Sequence, residues 1–203
     1  TGVQTCALPI SFSAAMNDCG GFFDEVLSPF LIGVFLTSPS EMNNQMAREL
    51  IHWFIKGRPG LPQGGVKRLP ELLADGANIH LNSKVELLAN RTVRVNGRSE
   101  EFDAIIVAAD PISASQLLDF PRPKMSGCIT WYHSCDAGSL SEKEIQIPTR
   151  SAIVNSVVLS NTAPEYAPSG KQLIATTALV EVPVGELQSE LSRIWRQNTD
   201  KWE

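Results

Sequence analysis

Cys128, His133, Cys135 and Asp136 form the densest run of reactive side chains in the sequence. Thiolate, imidazole and carboxylate are the usual donors to zinc. In an extended segment, however, Cys128 and His133 project to opposite faces, and no second Cys-x-x-Cys pair follows, so no metal site is expected. His52 adjoins Trp53 in a helical pattern, and His80 alternates within a strand-like stretch; both are expected at the surface. Asp110 precedes Pro111 and follows an apolar run. That placement suits a helix cap, and it also suits a ligand contact at the carboxyl end of a sheet strand, together with Ala108 and Ala109. Gly64-Gly65 permits either a plain helix-entry turn or close approach of the backbone to a ligand. Val85 reads as a strand residue of the core. No Ser-His-Asp set, paired carboxylates or phosphate loop is found. Gly57-x-x-Gly60-x-x-x-Gly64-Gly65 lacks the preceding strand that a dinucleotide turn needs, and Gly20-Gly21 is no substitute.

The elements that position these residues come from a chain of 203 residues, 43% apolar and 19% charged, with a net charge of −5. Such a composition can bury a core and is not that of a disordered chain. The acidic balance offers no electrostatic reason to bind nucleic acid. No apolar run approaches the roughly 18 residues that cross a bilayer. Four cysteines in this length do not make a disulfide scaffold. Residues 1–10, Thr-Gly-Val-Gln-Thr-Cys-Ala-Leu-Pro-Ile, match the translation of a short-read sequencing adapter codon by codon. They are therefore expected to be an artefact, with genuine coding sequence starting near Ser11, inside a longer protein. Location in the cytoplasm is the default expectation.

Residues 12–36 read as two apolar segments parted by Gly20-Gly21, with Phe22, Phe23, Val26 and Leu27 on one helical face and a break or bend at Ser28-Pro29. Residues 39–56 read as a helix capped by Ser38, with Pro39 first and Glu41 completing a capping box. Its apolar stripe is Met42, Met46, Leu50, Trp53 and Phe54. A short helix with Leu69, Leu72 and Leu73 on one face follows the Pro62-Gln-Gly-Gly turn. Strands are expected at 79–81, 85–88, 92–95 and 101–102, with Asn96-Gly97 as a hairpin turn. Asp103–Ala109 is a nearly continuous apolar run, the pattern of a strand buried on both faces of a parallel sheet. A short helix spans Ser113 to Asp119. Residues 127–135, 151–160 and 171–182 are β-rich, and 185–197 is helical with Leu187, Leu191, Ile194 and Trp195 stacked. Asn90-Arg-Thr92 has the form of a glycosylation acceptor, which has no role without secretion.

Over residues 62–110 the chain resembles the flavin-containing amine oxidase superfamily, which includes monoamine and polyamine oxidases, protoporphyrinogen oxidase and phytoene desaturases. The resemblance is carried by Pro62-x-Gly64-Gly65-x(3)-Leu69-Pro70-x-x-Leu73-Ala74, by Gly76-x-x-Ile79 and Asn82-x-x-Val85, and by Asp103 to Pro111. Pro29-Phe30-x-x-Gly33-Val34-Phe35-Leu36 and Ala163-Pro164-x-Tyr166-Ala167-Pro168-x-Gly170-Lys171 are similar to flanking segments of the same superfamily.

The resemblance implies a mixed α/β chain: part of a Rossmann-like FAD-binding domain and part of a substrate domain with a mixed sheet and helices. Residues 11–58 and 111–184 would belong to the substrate domain, 59–110 to the FAD domain, and 185–203 would lead back toward the latter. It implies FAD as cofactor, contacted by Gly64, Gly65, Val85, Ala108, Ala109 and Asp110, and a small-molecule substrate as partner. Peripheral membrane contact by the parent protein stays open. Its chemistry would be hydride removal to flavin N5. Amine-oxidising members place a lysine in the first substrate-domain strand, where Gly127 stands here, so the catalytic group is unassigned and C–C oxidation gains weight. The Gly-x-Gly-x-x-Gly turn that grips the pyrophosphate does not occur in these 203 residues, so the fragment itself is expected to be inactive. The rival reading is a non-catalytic binding protein of the same architecture, like the GDP-dissociation inhibitors; the retained Gly64-Gly65 weighs against it.

Overall fold

The computed structural model describes residues 11–87 and 91–203. Residues 1–10, expected to be adapter sequence, and Asn90 of the glycosylation triplet lie outside the described residues. The chain is of the α/β class, with helices and two antiparallel sheets. It divides into two units, one containing residues up to Pro70 together with Ser126–Glu203, the other Glu71–Met125.

In the first unit, α1 (Phe12–Ala15) is capped by the Ser11 hydroxyl. Next, α2 (Gly20–Phe22) passes through a π-helical turn, Phe23–Leu27, into α3 (Ser28–Phe35). No break occurs at Ser28-Pro29. Ser28 N–H bonds Phe23 O, and Pro29, which has no N–H to give, falls in the first turn of α3 where none is needed. The wider π turn also rotates the expected face. Phe23 and Leu27 pack on the core formed by Phe12, Leu31, Met42 and Ala47, while Phe22 and Val26 are exposed.

The next helix, α4, covers Asn44–Lys56, and its cap is Asn43, whose Oδ1 accepts from Met46 N–H at 3.1 Å. The capping box expected at Ser38 and Glu41 does not form. Glu41 takes the Thr37 hydroxyl at 2.6 Å, and Ser38 O closes a turn on Glu41 N–H. Asn43 itself is held extended in an isolated bridge with Ser11, beside which Phe12 N–H donates to Met42 O at 2.9 Å, and that tertiary pairing delays the helix. The buried face also differs from the expected stripe. Ala47 is fully buried, with Leu50 and Ile51 beside it, whereas Met46 and Trp53 are 59% and 67% exposed. Close packing of α1 favours the smallest side chain, and that turns the larger ones outward.

α5 (Arg68–Leu73) carries Leu69, Leu72 and Leu73 on its surface, all exposed. In the second unit, β1 (Val85–Leu87), β2 (Thr92–Val95) and β3 (Arg98–Glu101) form an antiparallel meander. Asn96 and Gly97 have φ of 48° and 84°, the two-residue hairpin geometry that Asn-Gly favours. α6 (Pro111–Leu118) follows, ending on Asp119 at φ 52°. No strand forms at 79–81. The expected buried strand at Asp103–Ala109 is also absent: the segment pairs with no strand among the described residues, and Ile106 is 88% exposed. Strand structure requires a neighbouring ladder for its N–H and C=O groups, and apolar composition alone does not supply one. All strand pairings described are antiparallel, so the expected parallel sheet does not appear.

Returning to the first unit, β4 (Ile129–Asp136), β5 (Ile153–Val158) and β6 (Lys171–Ala178) pair in the order β4-β6-β5. After Val158 the chain turns into α7 (Leu159–Thr162) rather than continuing as a strand. There the Ser160 hydroxyl accepts from Leu173 N–H at 2.9 Å, and the Asn161 side chain donates to Leu140 O and Glu142 O. Side-chain bonds replace the ladder at that point. α8 (Val184–Trp195) lays Leu187, Leu191 and Trp195 onto Ile153, Val158, Ile174 and Ala178. Each such large apolar side chain contributes about 1.5–3 kcal/mol by leaving water. Trp195 Nε1–H donates to Ser156 Oγ at 3.0 Å, and the Ser156 and Thr176 hydroxyls bond at 2.8 Å, so the polar atoms of this interface are paired.

Candidate functional site

Gly64 and Gly65 occupy a turn in the first unit, closed by Gly65 N–H donating to Pro62 O at 3.1 Å. Their φ angles are +80° and +97°. A positive φ at the third of four turn residues is type II geometry, which strongly favours glycine. A Cβ built on Gly65 would meet nothing within 4 Å. The constraint is therefore backbone conformation rather than crowding, and Gly65 faces open space.

The same turn is held from a distant part of the sequence. Tyr166 donates its hydroxyl to Pro62 O at 2.8 Å, and Gly64 N–H donates to Glu165 Oε1 at 3.3 Å. Sequence reasoning missed Glu165 altogether and had Tyr166 only within a flanking motif. The available signal was that two motifs of one family, about a hundred residues apart, must meet somewhere.

In the second unit, Val85 sits on β1, an edge strand. Asn96 N–H donates to Lys84 O, so Lys84 and Glu86 address β2. By the alternation of antiparallel ladders, Val85 N–H and C=O face the open edge. Val85 also lines a cleft of about 710 Å³ with His80, Val93, Phe102, Ala104 and Ile105. The residues present thus suit an adenine edge read by main-chain groups, which needs one donor and one acceptor side by side.

Asp110 caps α6. Its Oδ1 accepts from Ile112 N–H and Ser113 N–H, both at 3.0 Å. Hydrogen bonds from Ser113 hold the carboxyl below the usual carboxylate range. Ala108 and Ala109 are exposed on the irregular segment leading into that cap, not at the end of a strand, and none of these three residues lines the cleft.

A second cleft, in the first unit, measures about 610 Å³ and is lined by Phe12, Met16, Phe22, Phe30, Ile51 and Phe54. Phe30 and Phe54 meet edge to face at 4.9 Å. Cys128 is exposed, whereas Cys135 is buried and its thiol is pushed up by burial. Among the described residues no three His, Cys, Asp or Glu side chains come together as metal ligands. His133 is half-buried beside Trp202, its Nε2 bonds nothing among the described residues, and burial lowers its pKa.

A family model for flavin containing amine oxidoreductases matches residues 11–194. Two solved structures share the fold. One is the PF1083 protein of Pyrococcus furiosus, 17% identical, with a TM-score of 0.75 over 97% of this chain and 56% of that one. The other is an oxidoreductase of Methanosarcina mazei, 18% identical, with a TM-score of 0.72 over 98% of this chain and 56% of its own. The chain thus spans little more than half the length of these proteins. No curated protein matches it significantly.

Proposed function

The chain belongs to the flavin-containing amine oxidoreductases, and on that premise we propose that it is the central part of an FAD-dependent oxidoreductase acting on a small, hydrophobic molecule. Bound FAD supplies the acceptor for hydride at N5. The chain's own residues orient the cofactor and keep the site dry. In this reading Val85 offers its outward N–H and C=O to the adenine edge, and Gly64-Gly65 lets the backbone approach the ring system. Ala108, Ala109 and Asp110 belong to the irregular segment that leads into α6, with Asp110 shaping the backbone through its cap. The apolar cleft of the first unit supports a hydrophobic substrate. Glycine at position 127, where amine-oxidising relatives carry lysine, favours oxidation of a C–C bond over that of an amine.

The observation that supports the cofactor assignment is the outward N–H and C=O of Val85 on the outer strand of its sheet, paired with no strand among the described residues. Without a Gly-x-Gly-x-x-Gly turn, the 203 residues alone hold the pyrophosphate weakly and are inactive. Titrating FAD into the purified chain while following flavin fluorescence tests this: weak uptake and no turnover are expected. The complete protein is expected to purify with flavin's visible absorption. A complete protein that is colourless and takes up no FAD, or a 203-residue chain that turns over substrate, refutes the proposal.

A further inference from the structure

We infer that Glu165 and Tyr166 are positioning residues that fix the Pro62–Gly65 turn in the conformation it offers to the cofactor. The inference rests on the reading of Gly64-Gly65 given above. A Gly-Gly step has the widest conformational freedom of any dipeptide, and a turn closed by one hydrogen bond would sample much of it. Here two further bonds act on two different atoms of the turn. Tyr166 hydroxyl is a second donor to Pro62 O, whose other lone pair already takes Gly65 N–H. Gly64 N–H donates to Glu165 Oε1 at 3.3 Å.

The anchor for both bonds is itself tied down. Glu165 and Tyr166 lie on a 3-10 turn, Pro164–Tyr166, closed by Tyr166 N–H donating to Ala163 O at 3.0 Å and Ala167 N–H to Pro164 O at 3.3 Å. Ala163 is buried, and its N–H donates to Leu159 O at 2.9 Å. One residue further along α7, Ser160 is bonded to Leu173 of β6. A continuous path of hydrogen bonds thus runs from the β6 sheet through α7 to the glycine turn, all within one unit. Because the two side chains are neighbours in sequence, one small element sets both the carbonyl direction of Pro62 and the N–H direction of Gly64. Those two directions define the peptide planes on either side of Gln63, and through them the surface presented by Gly64 and Gly65.

The test is amide hydrogen exchange on the purified chain without flavin, for Tyr166→Phe, Glu165→Ala and Glu165→Gln. Tyr166→Phe and Glu165→Ala are each expected to speed exchange at Gly64 and Gly65 by about three- to tenfold. Glu165→Gln keeps an oxygen that accepts Gly64 N–H and is expected to stay close to the parent. Leu173 and Ala175 in β6 are expected to be unaffected in all three. Unchanged exchange at the glycines overturns the inference, as does acceleration that spreads equally into β6, which marks general unfolding. In the flavin-loaded complete protein, Tyr166→Phe is expected to shift the flavin absorption bands at unchanged thermal stability. A loosened turn beside an unaltered spectrum refutes the positioning role while leaving the family reading intact. A complete protein that takes up no flavin refutes the reading of function, and the exchange data then still decide whether the two side chains hold the turn.

Discussion

Replacing Gly65 by alanine isolates the backbone requirement of the glycine turn. Gly65 has φ +97°, and an added Cβ meets nothing within 4 Å. No steric clash confuses the result, and the cost is that of forcing an L-residue into the left-handed region, about 1–2 kcal/mol. Stiffening of the unfolded chain returns about 0.4–1 kcal/mol, so the net loss is about 1 kcal/mol. Gly64→Ala behaves alike, since its φ is +80° and its Cβ meets only the flexible Arg68 side chain, Cγ at 3.4 Å and Cδ at 3.8 Å. Gly60 is the control. It has no positive φ, and its Cβ also meets nothing, so Gly60→Ala retains only the unfolded-state gain of about 0.4–1 kcal/mol. The two alanine variants should therefore differ by about 1.5 kcal/mol. At a urea slope of about 1.5–3 kcal/mol/M that separates their midpoints by about 0.5–1 M. Trp195, buried in the same unit, supplies the fluorescence signal. Coincident midpoints for Gly65→Ala and Gly60→Ala would refute the claim that the turn is set by backbone conformation.

Leu191→Ala empties a fully buried site on α8 and is expected to cost about 2–5 kcal/mol in urea unfolding, whereas Val184→Ser, at an exposed position of the same helix, should be near neutral. The Asp110 carboxyl is depressed in the fold by its bonds from Ser113, so its stabilisation is present above the unfolded value near 3.9 and disappears as the pH falls through the folded value. Melting at pH 5 and at pH 3 should show a larger drop for the parent than for Asp110→Asn, which keeps the acceptor but does not titrate. His133 is lowered by burial; the unfolded imidazole protonates first, and stability falls as the pH drops below about 6.5. His133→Phe, which also removes an Nε2 with no partner among the described residues, should flatten that acid-side loss between pH 7 and pH 5 in urea titrations.

What the sequence determined by itself is what neighbours along the chain decide. Asn96-Gly97 makes a hairpin because both residues tolerate positive φ. Asp110-Pro111 starts a helix because a carboxylate satisfies orphan N–H groups where proline has none to offer. The spacing of Leu187, Leu191 and Trp195 names the buried face of α8, since it has a single broad core to lie on. The motifs around Gly64 and Val85 were likewise legible, and with them the flavoprotein family. Only the tertiary structure decided the rest. Pairing of Ser11 and Phe12 with Asn43 and Met42 moved the start of α4, and close packing at Ala47 turned Met46 and Trp53 outward. Asp103–Ala109 has a strand's composition but no described neighbour to complete its ladder. The outward direction of the Val85 main chain and the grip of Glu165 and Tyr166 on the glycine turn depend on which distant segments meet. The physical reason is common to all of these: local propensity is a matter of a few dihedral angles, whereas hydrogen-bond partners and burial are supplied by parts of the chain that no sequence window contains.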